Sequence, residues 1–287
     1  MSSIAMTHDD SWFNARFSDD VVLSIKTEEK LYSSQSGFQK IEVFKTGAFG
    51  RMLVLDDIIN VTERDEFIYH EMMTHVPMFT HPDPQRVMVV GGGDGGVVRE
   101  LMKHAVVQHA FLVEIDPEVI SVSREFFNST GTCLDDPRVS IINEDASNYI
   151  KNTLNNFDVI IVDSTDPIGA GESLFGSDFY KNCYDALTDT GILTAQSESP
   201  FFDPDIVSSL YAKAREIFPI VKMYIAFMPS YVSGIWSFLF ASKKHDPLED
   251  FQTERFAEKN VFTHYYNADI HSAAFSLPTF IKKQFAV

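Results

Sequence analysis

The sequence predicts an α/β protein: a doubly wound, mostly parallel sheet of seven strands, preceded by a small antiparallel β-domain. Three observations carry this. From Arg86 onward, short apolar runs alternate with stretches of helical spacing, the pattern of units that pack as a parallel sheet with helices on both faces. The first run, Val87-Met88-Val89-Val90, leads straight into Gly91-Gly92-Gly93-Asp94-Gly95-Gly96 and then into Val97-Val98-Arg99-Glu100, a strand–turn–helix passage. Before residue 62, apolar residues alternate with polar ones between turn-forming breaks.

Taken in order, Val21–Ile25, Ile41–Phe44, Met52–Leu55 and Ile58–Val61 read as strands, separated by Ser36-Gly37, Gly47 to Gly50 and Asp56-Asp57. So small a sheet packs on the rest of the chain or on another subunit. Arg64–Met78 places Phe67, Ile68, Glu71, Met72 and His75 at helical spacing and is expected to end at Pro77. The expected organisation is a β-domain over residues 1–64, a linking helix over 65–84 and the α/β domain over 85–287. Its strands are Arg86–Val90, Ala110–Glu114, Val139–Ile142, Val159–Val162, Ile192–Gln196, Val221–Phe227 and Ile235–Ala241. Its helices are Val97–His104, Pro117–Phe127, Ala146–Leu154, Asp178–Leu187 and Pro204–Phe218, the last with Asp203 as N-cap and Pro204 in the first turn. No helix separates the last two strands, so one of them should run antiparallel. The uncharged stretch Met223–Ser242 is broken by Pro229-Ser230 and Ser233-Gly234, so it reads as two strands around a turn and not as a membrane span.

At 287 residues, 45% hydrophobic and 22% charged, the chain is long and apolar enough to bury a core without staples. Its two cysteines, Cys133 and Cys183, make neither a disulfide framework nor a zinc motif, which fits a reducing cytoplasm. Residues Met1 to Asp10 carry no basic, apolar signal sequence, in keeping with that expectation. With 23 basic against 41 acidic residues, the net charge of −18 repels nucleic acid and attracts cations.

Gly91, Gly93 and Gly96 fit G-x-G-x-x-G, and Glu114 closes the next strand, where an acid can grip two ribose hydroxyls. A nucleoside-containing ligand is the natural inference. Asp94, inside the loop, would repel a pyrophosphate at the helix N-terminus but suits a nucleoside whose other end is cationic, such as S-adenosylmethionine or a relative. Asp145 could accept a hydrogen bond from an adenine amino group. Open parallel sheets bind ligands at the carboxyl ends of their strands, so Asp94, Glu114, Asp145, Asp163 and Asp166 should converge on one crevice. So many acids together call for cations, and an organic polycation can supply them as well as a metal. No histidine pattern supports zinc.

The runs Glu63-Arg64-Asp65-Glu66-Phe67-Ile68-Tyr69-His70-Glu71-Met72, Gly91–Gly96, Val113-Glu114-Ile115-Asp116, Asp163-Ser164-Thr165-Asp166-Pro167 and Tyr265-Tyr266-Asn267 with Ile270-His271-Ser272-Ala273-Ala274-Phe275 closely resemble the polyamine aminopropyltransferase (spermidine synthase) family over nearly the whole chain. The resemblance implies a methyltransferase-like, Rossmann-like domain with an N-terminal β-domain, and aminopropyl transfer from decarboxylated S-adenosylmethionine to putrescine. An in-line displacement of this kind needs no metal and no cofactor beyond that co-substrate, and so small a β-domain invites a homodimer or homotetramer. The resemblance also implies that Gln39, Gly91, Gly93, Glu114, Asp145, Ala146 and Ala170 hold the nucleoside. Tyr69, His70, Asp94, Ser164, Thr165, Asp166 and Tyr231 would line the amine site, and Asp163 would be its general base. Where the family often reads Asp-Pro-x-Gly-Pro, this chain has Ala170 after Gly169, which implies a looser loop over the nucleoside.

For such a reaction the attacking nitrogen must be a neutral amine, so the distal ammonium should be held by acids while the reacting nitrogen meets Asp163, Tyr69 and an apolar wall. The loop Gly169–Ser173 can fold over the site and exclude water. Two other readings use the same residues: a methyltransferase acting with intact S-adenosylmethionine, whose methionine carboxylate Asp94 opposes, and a polyamine-binding protein without catalysis.

Overall fold

The computed structural model describes residues 11–151, 153–165, 169–258 and 261–285. It divides into two units, Met1–Asp65 and Glu66–Val287.

The smaller unit is an antiparallel meander of β1 (Trp12–Arg16), β2 (Val22–Gln35), β3 (Lys40–Thr46), β4 (Gly50–Leu55) and β5 (Ile58–Thr62), paired in that order. β1 was not expected, because the exposed aromatic Trp12 beside Phe13 hides in the sequence an alternation that the structure does show, with Phe13 and Ala15 turned inward. Asp56 and Asp57 both have positive φ (46° and 65°), the backbone of the tight turn that joins β4 to β5. Ala15, Ile25, Phe44, Met52, Val54 and Ile59 form its core. The buried Glu42 is held there by Lys30 (2.6 Å) and Lys40 (2.7 Å).

The larger unit begins with α1 (Glu66–Thr80) and continues through β6 (Arg86–Gly91), α2 (Gly96–Met102), β7 (His109–Val113), α3 (Pro117–Phe126), α4 (Asn128–Gly131), β8 (Val139–Ile142), α5 (Ala146–Ile150) and β9 (Phe157–Asp163). Then follow α6 (Ser177–Ala186), β10 (Leu187–Gln196), α7 (Pro204–Ile217), β11 (Ile220–Phe227), β12 (Ile235–Ser242), α8 (Thr253–Glu258), α9 (Ala268–Ala274) and α10 (Thr279–Phe285). The seven strands lie in the order β11-β12-β10-β9-β6-β7-β8; β12 runs antiparallel to both neighbours, and the pairs from β10 to β8 are parallel. Alternate residues of β6 point to opposite faces: Val87 and Val89 join one core with α1 and α2, Met88 and Val90 the other with α6 and α7.

α1 corrects the sequence reading in two ways. It packs within the larger unit, almost wholly buried, instead of acting as a link. It also runs through Pro77, which was expected to stop it. A proline cannot donate to the carbonyl four residues back, but the Thr194 hydroxyl of β10 donates to that Met73 carbonyl (3.3 Å), and Tyr224 supports the adjacent Met72 carbonyl (3.2 Å). Asp203 stands at the N-cap of α7, but its side chain makes no capping bond. The segment Gly169–Phe175 forms a 3-10 turn. Among the described residues, no helix is long and apolar enough to cross a membrane.

Candidate active site

The carboxyl ends of β6, β7 and β9 carry the candidate side chains. Gly91 pairs with Asp163 across β6 and β9, at the mouth of the glycine loop. Gly91, Gly92 and Gly95 adopt φ of 73°, 70° and 84°, which turns the chain back on itself before α2. The Gly93 N–H donates to Glu114 Oε2 (3.2 Å), and the Asp116 N–H donates to Glu114 Oε1 (2.9 Å). Burial pushes the Glu114 carboxyl up to about 7, against these two donors. Each oxygen keeps a lone pair for a ligand hydroxyl.

Asp163 ends β9, and its Oδ1 accepts a hydrogen bond from the Tyr69 hydroxyl of α1 (2.8 Å). Its Oδ2 is sealed from solvent and has no hydrogen-bond partner among the described residues; the buried Ser164 hydroxyl is in the same state. Burial, and next the like charge of Asp94, push the Asp163 carboxyl up to about 7, against His70 and the Tyr69 hydroxyl. Burial, and next the Asp163 carboxylate, hold the Tyr69 phenol well above its ordinary range, so it stays a donor.

One turn of α1 sets His70 between two acids: Nδ1 meets Glu66 Oε2 at 2.5 Å, and Nε2 meets Asp94 Oδ1 at 3.1 Å. Burial favours the neutral ring, but Asp94 and Glu66 outweigh it and raise His70 well above its usual range. Burial likewise opposes the charge on Asp94, yet His70 and the Gly96 N–H (2.7 Å) hold that carboxyl low. Gly96 is required here, since a Cβ would lie 2.1 Å from the His70 ring. His70, Asp94 and Asp163 bring ligand-type atoms within 4.8 Å of one another. With both ring nitrogens donating to carboxylates, His70 has no lone pair for a metal, so the trio is an anionic pocket suited to an organic cation.

An aromatic wall stands beside it. The Tyr69 ring lies 6.3 Å from that of Tyr231 and 5.4 Å from that of Phe238, and Tyr231 packs edge-on to Trp236 at 4.7 Å. The Trp236 indole N–H is buried without a partner among the described residues.

The structure thus brings together Tyr69, His70, Asp94, Asp163, Gly91, Gly93, Glu114 and Tyr231, with Ser164 and Thr165 following Asp163 directly. Asp145 lies three residues past β8 as the N-cap of α5, where it accepts the Ser147 N–H (2.8 Å) on one oxygen and the Asn148 amide (3.4 Å) on the other, with Ala146 buried behind it. Gln39 belongs to the smaller unit, where its N–H donates to the Ser36 hydroxyl (3.0 Å). Asp166 lies outside the described residues. Ala170 is described only as part of the 3-10 turn, and nothing is said of its side chain.

Sequence reasoning missed two groups. Glu66 and Arg99 form a bidentate pair (2.6 and 2.9 Å) behind His70. At the end of β10, one step past the Ala195–Val162 pairing, Gln196 donates to Glu198 Oε1 (2.9 Å) and accepts the Glu198 N–H (3.0 Å); Glu198 pays with a φ of 64°. The rule that ligands sit at carboxyl strand ends was the one signal that pointed there.

A separate cavity of about 480 Å³, lined by Asp83, Gln85, Arg86, Gln108, His109 and Asp158, lies at the opposite, amino ends of β6, β7 and β9.

Comparison with known proteins agrees with this geometry. The family model of the spermine/spermidine synthase domain matches residues 66–253, and that of the spermidine synthase tetramerisation domain matches residues 11–63. A polyamine aminopropyltransferase of Caldicellulosiruptor saccharolyticus is 44% identical over 272 residues, covering 95% of this chain and 97% of the relative. One from Alkaliphilus oremlandii is 46% identical over 274 residues, covering 95% and 96%. A spermidine synthase crystallised with the transition-state analogue AdoDATO superposes with a TM-score of 0.95 at 41% identity, over 100% of this chain and 98% of that one. The spermidine synthase of Thermotoga maritima gives 0.93, also at 41% identity, over 100% and 97%. A parallel sheet with its acids gathered at the carboxyl strand ends, and relatives matched along almost the entire length, place the chain in the spermine/spermidine synthase family.

Proposed function

We propose that this protein is a polyamine aminopropyltransferase: it moves the aminopropyl group of decarboxylated S-adenosylmethionine to putrescine, giving spermidine and 5′-methylthioadenosine. The observation that carries the reading is the half-buried Asp163, held by Tyr69 on one oxygen and without a hydrogen-bond partner among the described residues on the other, beside the Asp94–His70 pair.

A free primary amine has a pKa of about 10 and an ordinary aspartate about 4, so taking its proton would be uphill by roughly 6 units, or about 8 kcal/mol. With Asp163 at about 7, the gap narrows to roughly 3 units, about 4 kcal/mol. The aromatic wall of Tyr69, Tyr231 and Trp236 desolvates the reacting nitrogen and closes it further. The nitrogen lone pair then forms the new N–C bond as the S–C bond breaks; the sulfonium becomes a neutral thioether, and the proton passes to Asp163 and on to solvent. Asp94, Thr165 and Asp166 hold the distal ammonium, with Ser164 and His70 at the same amine site. Glu114 takes the ribose hydroxyls above Gly91 and Gly93, Asp145 and Ala146 take the adenine, and Ala170 completes the nucleoside contacts. The β-domain joins chains into a homodimer or homotetramer. Two free cysteines, Cys133 and Cys183, suit a cytoplasmic setting.

The test is to supply decarboxylated S-adenosylmethionine with putrescine, cadaverine, agmatine or spermidine in turn. Release of methylthioadenosine with one preferred diamine is expected. Methylated amine from intact S-adenosylmethionine, or binding of putrescine without product, overturns the reading. In the same assay, kcat/KM for the amine should rise with pH through about 7, because the base works only when deprotonated and its carboxyl sits at about 7. A profile flat from roughly pH 6 to 9 removes Asp163 from the role.

Glu114→Gln should weaken methylthioadenosine by about 1.5–3 kcal/mol, the worth of a charged hydrogen bond, with kcat nearly kept. Calorimetric titration checks it, and unchanged affinity excludes Glu114 from the ribose.

A further inference from the structure

Behind the amine site, α1 and α2 share a buried ladder of alternating charge. Asp94 meets His70, His70 meets Glu66, and Glu66 takes the Arg99 guanidinium on both oxygens. The Arg99 Nε continues to Glu100 Oε1 (2.8 Å). Glu100 Oε2 takes His75 (2.9 Å) and Lys103 (2.5 Å), and His75 reaches His104 at 2.9 Å. Glu66, His70, His75, Glu100 and His104 are all buried. Apolar side chains would join two helices with less desolvation, so the ladder calls for another purpose than adhesion.

The charge arithmetic at the base supplies one. The groups facing His70 are Glu66 on its own helix, the neighbouring Tyr69 ring, Asp94 from the glycine loop, Asp163 from β9 and, beyond Glu66, Arg99 from α2. Glu66 and Arg99 cancel each other, as do His70 and Asp94 when the ring is charged. Asp163 is then the one uncompensated carboxyl. Were the ring neutral, Asp94 would stand beside Asp163 as a bare like charge, and two adjacent carboxylates resist ionising together.

We infer that Glu66, locked by Arg99, is a positioning residue that keeps His70 an imidazolium aimed at Asp94, and that this leaves Asp163 free to ionise as the base. Glu66 acts through His70 and need not touch substrate. Its carboxylate fixes both the ring's orientation and its charge, and the bidentate arginine holds that carboxylate in place. The inference rests on the reading of Asp163 given above.

Glu66→Gln keeps the shape and removes the charge. His70 should then lose its proton within the assay range. Between roughly pH 6 and 9 the amine kcat/KM profile should gain a second ionisation, and its rise should shift upward by about one unit, a roughly fivefold loss near pH 7 that closes toward pH 9. Methylthioadenosine affinity should be unchanged. A uniform loss at every pH, or a lowered unfolding temperature with the wild-type profile, makes Glu66 merely structural and overturns the inference. Should the variant not fold, the wild-type enzyme decides. With labelled histidine, and the His70 resonance assigned by its loss in His70→Gln, the ring should stay doubly protonated across that window. A midpoint inside it overturns the proposal. The wild-type assay separates the two readings: turnover with a titrating His70 sinks only this inference, whereas no turnover sinks the aminopropyl transfer and leaves the charge state of His70 standing.

Discussion

Asp163→Asn lowers kcat by about 10²–10⁴-fold, the range a positioned general base supplies, while methylthioadenosine binds as before. Asparagine fills the same volume, and its carbonyl can still accept the Tyr69 hydroxyl that now sits 2.8 Å from Oδ1. It cannot take a proton. At the unpartnered Oδ2 position an amide N–H₂ offers donors where the carboxylate offers a lone pair. The stability change has the opposite sign. Asp163 titrates at about 7 in the fold and at roughly 4 when unfolded, so between those values the folded state binds the extra proton. Stability from this group is therefore lost as pH rises through that window. The variant no longer carries that penalty, and above pH 7 its unfolding temperature should equal or exceed that of the wild type. A collapsed kcat with undiminished thermal stability identifies a residue placed for chemistry at a cost to the fold. A fall in unfolding temperature together with lost donor affinity would instead mean that Asp163 holds the sheet edge together.

Much of this site was legible because its signals are local. The strand-to-loop passage at Gly91–Gly96, Glu114 at the end of β7 and Asp163 at the end of β9 each stand at a position that the strand pattern alone locates. What stayed hidden depends on partners far along the chain. Arg99 reaches Glu66 across 33 residues, and Thr194 rescues the proline in α1 from 121 residues beyond the carbonyl it supports. Neither partner carries a spacing that could announce it. The short C-terminal helices escaped notice for a related reason. They are tied down by tertiary bonds: Glu71 accepts the backbone N–H groups of His264, Tyr265 and Tyr266 (2.7–2.8 Å), and the Tyr266 hydroxyl meets His271 at 2.7 Å. The Tyr265-Tyr266-Asn267 and His271 motifs, part of the resemblance, therefore anchor the C-terminal segment to α1, and Asn267 caps α9 through the Ile270 N–H (2.8 Å). A motif shared across a family can mark a clasp as readily as a catalytic group.

Gly91→Ala should destabilise the protein by about 2–5 kcal/mol and abolish turnover, and the reasons are separable. Gly91 has φ of 73°, where an alanine costs about 1–2 kcal/mol from the backbone alone. Its Cβ would also lie 2.2 Å from the Asp163 carbonyl oxygen and 3.1 Å from the carbonyl carbon. Those are backbone atoms of the adjacent paired strand, so no side chain can rotate away, and overpacking of this kind adds roughly 1–3 kcal/mol. The only relief is to push β6 and β9 apart at their carboxyl ends, where Asp163 must meet Tyr69 within a hydrogen bond's length. A displacement of about 1 Å there is enough to cost around 10²-fold in rate. Gly37 is the control: it has no atom within 4 Å of a built Cβ and no positive φ, and alanine there should change stability by no more than about 0.5 kcal/mol. Denaturant unfolding of the two variants, beside methylthioadenosine release, measures both effects. If Gly91→Ala is as stable and as active as Gly37→Ala, the close approach of the glycine loop to β9 is not what places the base.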